Sequence, residues 1–130
     1  MPIFFNRNEI FSLSNGLVPG KTSYQFVFQN DTNVSICDLH LMTTSPSPGI
    51  PPLITKVKLQ TTTNASAVVL ATPTNTLDID IQSFFGFTSC ISPTFPASFF
   101  LLTITFSRPF TDSEGLQIAP TNFEGDVIVA

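Results

Sequence analysis

The run Ser98-Phe-Phe-Leu-Leu-Thr-Ile-Thr-Phe-Ser107 alternates with a period of two. Phe100, Leu102, Ile104 and Phe106 fall on one face; Phe99, Leu101, Thr103 and Thr105 fall on the other. Successive side chains of an extended chain point to opposite faces, so the run predicts a strand with one buried and one mixed face. The same period recurs elsewhere. Tyr24, Phe26 and Phe28 alternate with Gln25 and Val27, and Cys37, Leu39 and Leu41 with Asp38 and His40. Val57 and Leu59 alternate with Lys56 and Lys58, and Leu77, Ile79 and Ile81 with Asp78 and Asp80. No window of useful length has helical spacing, and 11 Pro and 6 Gly punctuate the rest. Strands are expected at 24–29, 34–43, 54–61, 67–71, 77–82, 84–90 and 98–107, with an eighth near 116–119 or 126–129. Short strands separated by turns within 130 residues predict one all-β domain, a two-sheet antiparallel sandwich, with a jelly roll of about eight strands as the favoured topology.

Two segments stand apart. Residues 1–18 form an N-terminal arm or a first strand, carrying Ile3, Phe4, Phe5, Ile10, Phe11 and Leu13 ahead of the sandwich domain at 19–130. Past about residue 109, a C-terminal tail runs through turn residues to Val127, Ile128 and Val129. Met1 to Phe11 lacks the basic and continuous apolar regions of a signal peptide. No apolar stretch approaches the ~20 residues of a membrane helix, so no membrane insertion is expected.

Groups for chemistry are scarce. Only 11% of residues are charged, and the formal net charge is −4. Phosphate binding needs clustered cations, and the five available include only Lys56 and Lys58 on a shared strand face, so no nucleic-acid partner is expected. His40 is the single imidazole; it shares a strand face with Asp38, with Ser35 nearby, but no nucleophile elbow accompanies it. Asp78 and Asp80 lie on one face roughly 7 Å apart, a spacing that glycoside hydrolysis could use. No Trp platform is present for a sugar, so a solvated face is the reading. Asn30-Asp31-Asn33, Asp112-Ser-Glu114-Gly115 and Glu124-Gly-Asp126 could offer oxygens to calcium but match no EF-hand spacing and read as turns. Cys37, His40 and Cys90 are too few for structural zinc. Asn30, Asn33 and Asn64 begin glycosylation sequons, which arise by chance in a chain this rich in Thr and Asn. No enzyme activity, metal or cofactor is implied. Cys37 and Cys90 leave three states open: a bridge within the chain, a bridge between chains, or two buried thiols.

What remains is the surface. Interface cores are poor in charge and rich in aromatics, and this chain has 14 Phe with few charges. Free sheet edges invite pairing, and here Pro does more of the blocking than charge. The expectation is a non-enzymatic structural subunit that assembles with itself into a fibre, coat or shell. Its interface is expected at Ile3, Phe4, Phe5, Ile10, Phe11, Leu13, Val127, Ile128 and Val129, through strand addition and apolar contact. The alternative is a lectin-like or receptor-binding module in a small oligomer. It would contact a glycan or surface receptor through loops Asn30–Asn33, Thr43–Pro52 and Pro93–Pro96.

Residues 22–107 also resemble the subunit of bacterial endospore appendage fibres, a small jelly-roll family. The similarity lies in strand order and turn placement: Cys37 to Met42, Ile54 to Gln60, Thr72-Pro-Thr-Asn-Thr76 leading into Leu77-Asp-Ile-Asp-Ile81, Phe84 to Cys90, and Phe99 to Phe106. The resemblance implies a jelly roll whose N-terminal connector bonds subunits together, at a spore or particle surface outside the cell. That family's connector carries cross-linking cysteines, whereas residues 1–36 here contain none. Under the resemblance, a covalent link is absent or rebuilt from Cys37 and Cys90.

Overall fold

The computed structural model describes residues 9–30, 36–46, 49–61, 65–87, 90, 99–120 and 125–129. Nine strands and one short helix follow in order: β1 Glu9–Phe11, β2 Ser23–Asn30, β3 Asp38–Thr44, β4 Ile54–Gln60, β5 Ala65–Thr74, β6 Thr76–Asp80, α1 Ile81–Phe85, β7 Phe99–Phe106, β8 Gly115–Pro120 and β9 Gly125–Val129. They form a four-stranded sheet, β1-β8-β3-β6, and a five-stranded sheet, β5-β4-β7-β2-β9. Every pairing is antiparallel.

The order has a simple origin. β1 pairs with β8, β2 with β7, β3 with β6 and β4 with β5, the rungs of one long hairpin. Wrapping that ribbon on itself adds the β3–β8 and β4–β7 pairings. The result is the double-sheet jelly roll expected from the strand pattern. β9 is an addition that covers the outer side of β2.

Alternation places the core. In β3, Leu39, Leu41 and Thr43 point inward while His40, Met42 and Thr44 are exposed. In β4, Val57 and Leu59 are inward and Lys56 is exposed. β7 contributes Leu102, Ile104 and Phe106. Rings cluster where β2 and β7 lie side by side: Phe106 and Phe110 meet edge-on with centroids 4.8 Å apart, and Tyr24 contacts both. The Tyr24 hydroxyl donates to the Val18 carbonyl at 2.6 Å, anchoring the loop before β2. Burial raises its pKa. The buried Thr43 hydroxyl donates to the Pro52 carbonyl at 2.7 Å.

The phenylalanines correct one expectation. Their abundance predicts an exterior that faces other copies. Phe11, Phe26, Phe28, Phe85, Phe106 and Phe110 are buried in the chain's own core instead. Facing sheets enclose a core about 10 Å thick, and aromatic rings help to fill it.

A second correction concerns 84–90. A strand was expected there, but Ile81–Phe85 is a helical turn. Asp80 caps it by accepting from the Gln82 amide at 3.1 Å, and Gly86 ends it at φ 76°, a left-handed conformation that glycine adopts without steric cost. Local capping outweighs the β propensity of Phe84, Phe85 and Phe87. A third correction is that both late strands form: β8 closes one sheet and β9 extends the other.

Cys37 and Cys90 form an intrachain disulfide spanning 53 residues. It joins the start of β3 to the segment after α1.

Candidate functional site

The outer face of the four-stranded sheet carries the one histidine. β3 presents Asp38, His40 and Met42 outward; β6 sets Asp80, Asp78 and Thr76 opposite them, one for one. On the other flank, β8 sets Ala119 opposite His40 and Gln117 opposite Met42. Directly opposed side chains on neighbouring strands lie within contact range. His40 Nδ1 and Asp78 Oδ1 are hydrogen-bonded across β3 and β6. Both side chains remain exposed, at 50% and 77%.

These residues border an open groove of about 310 Å³ lined by His40, Met42, Thr76, Asp78, Gln117 and Ala119, with Leu41 beneath. It offers an imidazole, a carboxylate, a hydroxyl and an amide beside the apolar side chain of Met42. That set can hydrogen-bond a polar ligand. The imidazole's nearest carboxylate is Asp78 on β6, not Asp38 on its own strand, because cross-strand register decides the contact. Ser35 lies outside the described residues. Asp78 and Asp80, read as one solvated pair, have separate partners: Asp78 holds His40 and Asp80 caps α1. Among the described residues no three His, Cys, Asp or Glu side chains come together to hold a metal ion.

The turn Asp112–Gly115, a weak calcium candidate by sequence, is used differently. Glu114 is turned inward, its side chain 5% exposed. Arg108 donates to it through both terminal nitrogens, at 2.8 and 2.5 Å, and the Thr111 amide donates at 2.9 Å. Arg108 also reaches the Ile50 carbonyl, tying two loops together. The Arg108 hydrogen bonds hold the Glu114 carboxyl well below its ordinary 4.5, at about 2, against the opposing effect of burial. Glu114 is therefore a structural anchor, engaged on both oxygens. Sequence reading missed it, since Asp-Ser-Glu-Gly reads only as a turn.

The residues expected at an intersubunit contact divide. Phe11, in β1, is 6% exposed and packs its ring 5.1 Å from Phe26, so it belongs to the core rather than to a neighbour. Leu13 is half-buried against the same core. Ile10 stays 56% exposed. β9, holding Val127, Ile128 and Val129, pairs with β2 of its own sheet, and Val129 packs on the core. β9 therefore extends its own sheet. Ile3, Phe4 and Phe5 lie outside the described residues, as do Asp31–Asn33 and Pro93–Pro96 of the recognition loops. Of the remaining loop, Thr43 and Pro52 are buried and bonded to each other.

β1 and β9, the described strands nearest the two ends of the chain, thus lie on one lateral side. The Ser12–Leu17 turn, closed by Ser12 and Asn15 backbone bonds, carries buried Leu17 into the core. Gly16 adopts φ 98° there, and a side chain would meet Val129 at 3.2 Å and Phe11 at 3.3 Å. The opposite lateral side, at β5, β6 and α1, is less complete. Five of the seven apolar residues left half-buried at the core margin lie on it: Val68, Leu70, Leu77, Phe84 and Phe87. On the outer face of β5, Val69 is 72% exposed. The sequence reading did not select this side. Its signal was the ten-residue run without a charge, Ala65–Thr74.

Comparison with protein-family models, curated proteins and solved structures finds no match.

Proposed function

We propose that the chain is a non-enzymatic structural subunit that assembles with itself into a fibre, coat or shell through strand pairing and apolar contact. The observation that carries this reading is the incomplete lateral side at β5, β6 and α1, where half-buried Val68, Leu70, Leu77, Phe84 and Phe87 border an uncharged edge strand. A domain that works alone gains by covering such a margin with charge, and only 11% of this chain is charged. A place outside the cell on a spore or particle surface, as the resemblance to endospore appendage subunits implies, belongs to the same proposal. The contacts are non-covalent here, because Cys37 and Cys90 are consumed by one intrachain bridge.

Purified protein is expected to form species larger than a monomer in size-exclusion chromatography with light scattering, and regular particles in negative stain. A monodisperse monomer at high concentration, with the N-terminus intact, would count against the reading.

The groove at His40 and Asp78 favours a second reading, a lectin-like or receptor-binding module in a small oligomer. Its discriminating result is a closed oligomer of fixed size that binds glycans, with binding lost on His40→Ala.

A further inference from the structure

Among the described residues the sandwich has four edge strands, and three are protected in ways that discourage pairing. β1 is only three residues long. β6 carries Asp78 and Asp80 and runs directly into α1. β9 is five residues long and includes Asp126. Short edges and edge charges are the usual defences against intermolecular strand addition. β5 has neither. It is the longest strand, ten residues from Ala65 to Thr74, without a charged side chain. Ala65–Val69 pairs regularly with β4 on one side, and among the described residues no strand pairs with the other side. The register then jumps, from Lys56 opposite Val69 to Ile54 opposite Thr74, so the irregularity and Pro73 guard only the far end.

We propose that two copies of this chain pair antiparallel through β5 about a twofold axis, joining their five-stranded sheets into one continuous ten-stranded sheet. This inference rests on the self-assembly reading above and names its contact. A second copy is the occupant that the edge fits, for three reasons. Ala65, Ala67 and Val69 on the outward face are exposed and small enough to sit opposite their own counterparts without crowding. Neither strand brings a charge to the seam, whereas a charged strand placed here would find no counter-charge on β5. The nearest charges are Lys56 and Lys58 on β4. Across the axis they are separated by three strand spacings, roughly 14 Å, beyond the Debye length of about 8 Å at physiological salt. Pairing also covers Val68 and Leu70, which face the core but stay half-buried at its margin.

The contact is small. The regular stretch Ala65–Val69 extends ~17 Å, and the side of a two-sheet sandwich is ~15 Å deep, so the pair buries on the order of 500 Å² in total. That is below the ~1,000 Å² usual for a specific interface, so the isolated pair is expected to be weak, dissociating above the micromolar range. Other contacts then extend it into a larger assembly.

Val69→Lys and Ala67→Lys test the inference, since both sites are exposed and neither change touches the core. Sedimentation velocity across a concentration series is expected to show the β5 contact weakened at least about tenfold in each variant, with unchanged circular dichroism and a melting temperature lowered by only a few degrees, because each new ammonium faces Lys56 or Lys58 across its own β4. Single cysteines placed in turn at residues 65–69, with the native bridge intact, supply a second readout. The residue nearest the axis faces its own counterpart at a Cβ separation of roughly 4.5–5.5 Å, so one position is expected to cross-link to itself on mild oxidation. If the wild-type chain assembles while both lysine variants assemble equally well and no cysteine self-links, the β5 contact is wrong and self-assembly uses another surface. If the wild-type chain stays monomeric at every concentration, both the contact and the self-assembly reading fall.

Discussion

Replacing Cys37 and Cys90 together by serine is expected to lower the unfolding free energy by about 3–4 kcal/mol. The bridge closes a loop of 53 residues. In the chain-entropy account, a loop of that length removes about 4 kcal/mol of freedom from the unfolded ensemble at 25 °C. The loop includes β3 to β6 and α1, so the bridge constrains half of the ribbon that must wrap to form the jelly roll. Urea titration checks the figure. The variant is also expected to unfold with a steeper denaturant dependence, because its unfolded state exposes more surface. A loss below about 1 kcal/mol would mean that the bridge contributes little beyond what the strand pairings already impose.

The second large effect is acid sensitivity at Glu114. Its carboxyl is held at about 2 in the folded chain, against 4.5 ordinarily. The folded state therefore favours the ionised form. The associated stability is complete above pH ~4.5 and is lost as the pH falls from there toward ~2. Glu114 is buried, but Arg108 is 40% exposed, and solvent screening reduces the benefit. About 2–3 kcal/mol is expected from a buried carboxylate held by charge-assisted bonds. Glu114→Gln keeps the shape and removes the charge. It is expected to cost about 2 kcal/mol at pH 7, with the gap to wild type shrinking toward zero near pH 2. A gap that stays constant between pH 7 and pH 2 would show that ionisation is not its source.

These two anchors also show what a sequence conceals. Strand alternation located β2, β3, β4, β6 and β7 to within a few residues, because burial on one face of a sheet imposes a period of two directly on the chain. The eight-strand jelly roll follows from pairing those strands as one ribbon. The helical turn after Asp80 was legible in principle, since an aspartate cap and a left-handed Gly86 bracket it. It was hidden by three phenylalanines that resemble a strand. His40 with Asp78 and Arg108 with Glu114 lie at different levels of difficulty. The first is a contact across 38 residues, set by register. The second spans six, set by a turn that folds an acidic residue inward.

Part of the expected contact lies within the chain's own core for a physical reason. Apolar residues near the chain ends, Phe11 and Val129 among them, looked available to a neighbour. Once the sheets form, they are the residues that finish the sandwich on the β1 and β9 side. The long uncharged edge among the described strands is β5, with α1 beside part of it, and its residues are individually unremarked. Its significance is collective: length, absence of charge, and an edge position that only the strand order reveals.

Amide hydrogen exchange along Ala65–Val69, followed as protein concentration rises, tests the central claim most directly. Among the described residues no strand pairs with the amides of β5 that point away from β4, so they are expected to exchange quickly in the monomer. The account predicts that they become protected in step with assembly, while the exposed amides of β6 do not. Assembled protein in which the outward β5 amides exchange as fast as in the dilute monomer would contradict it.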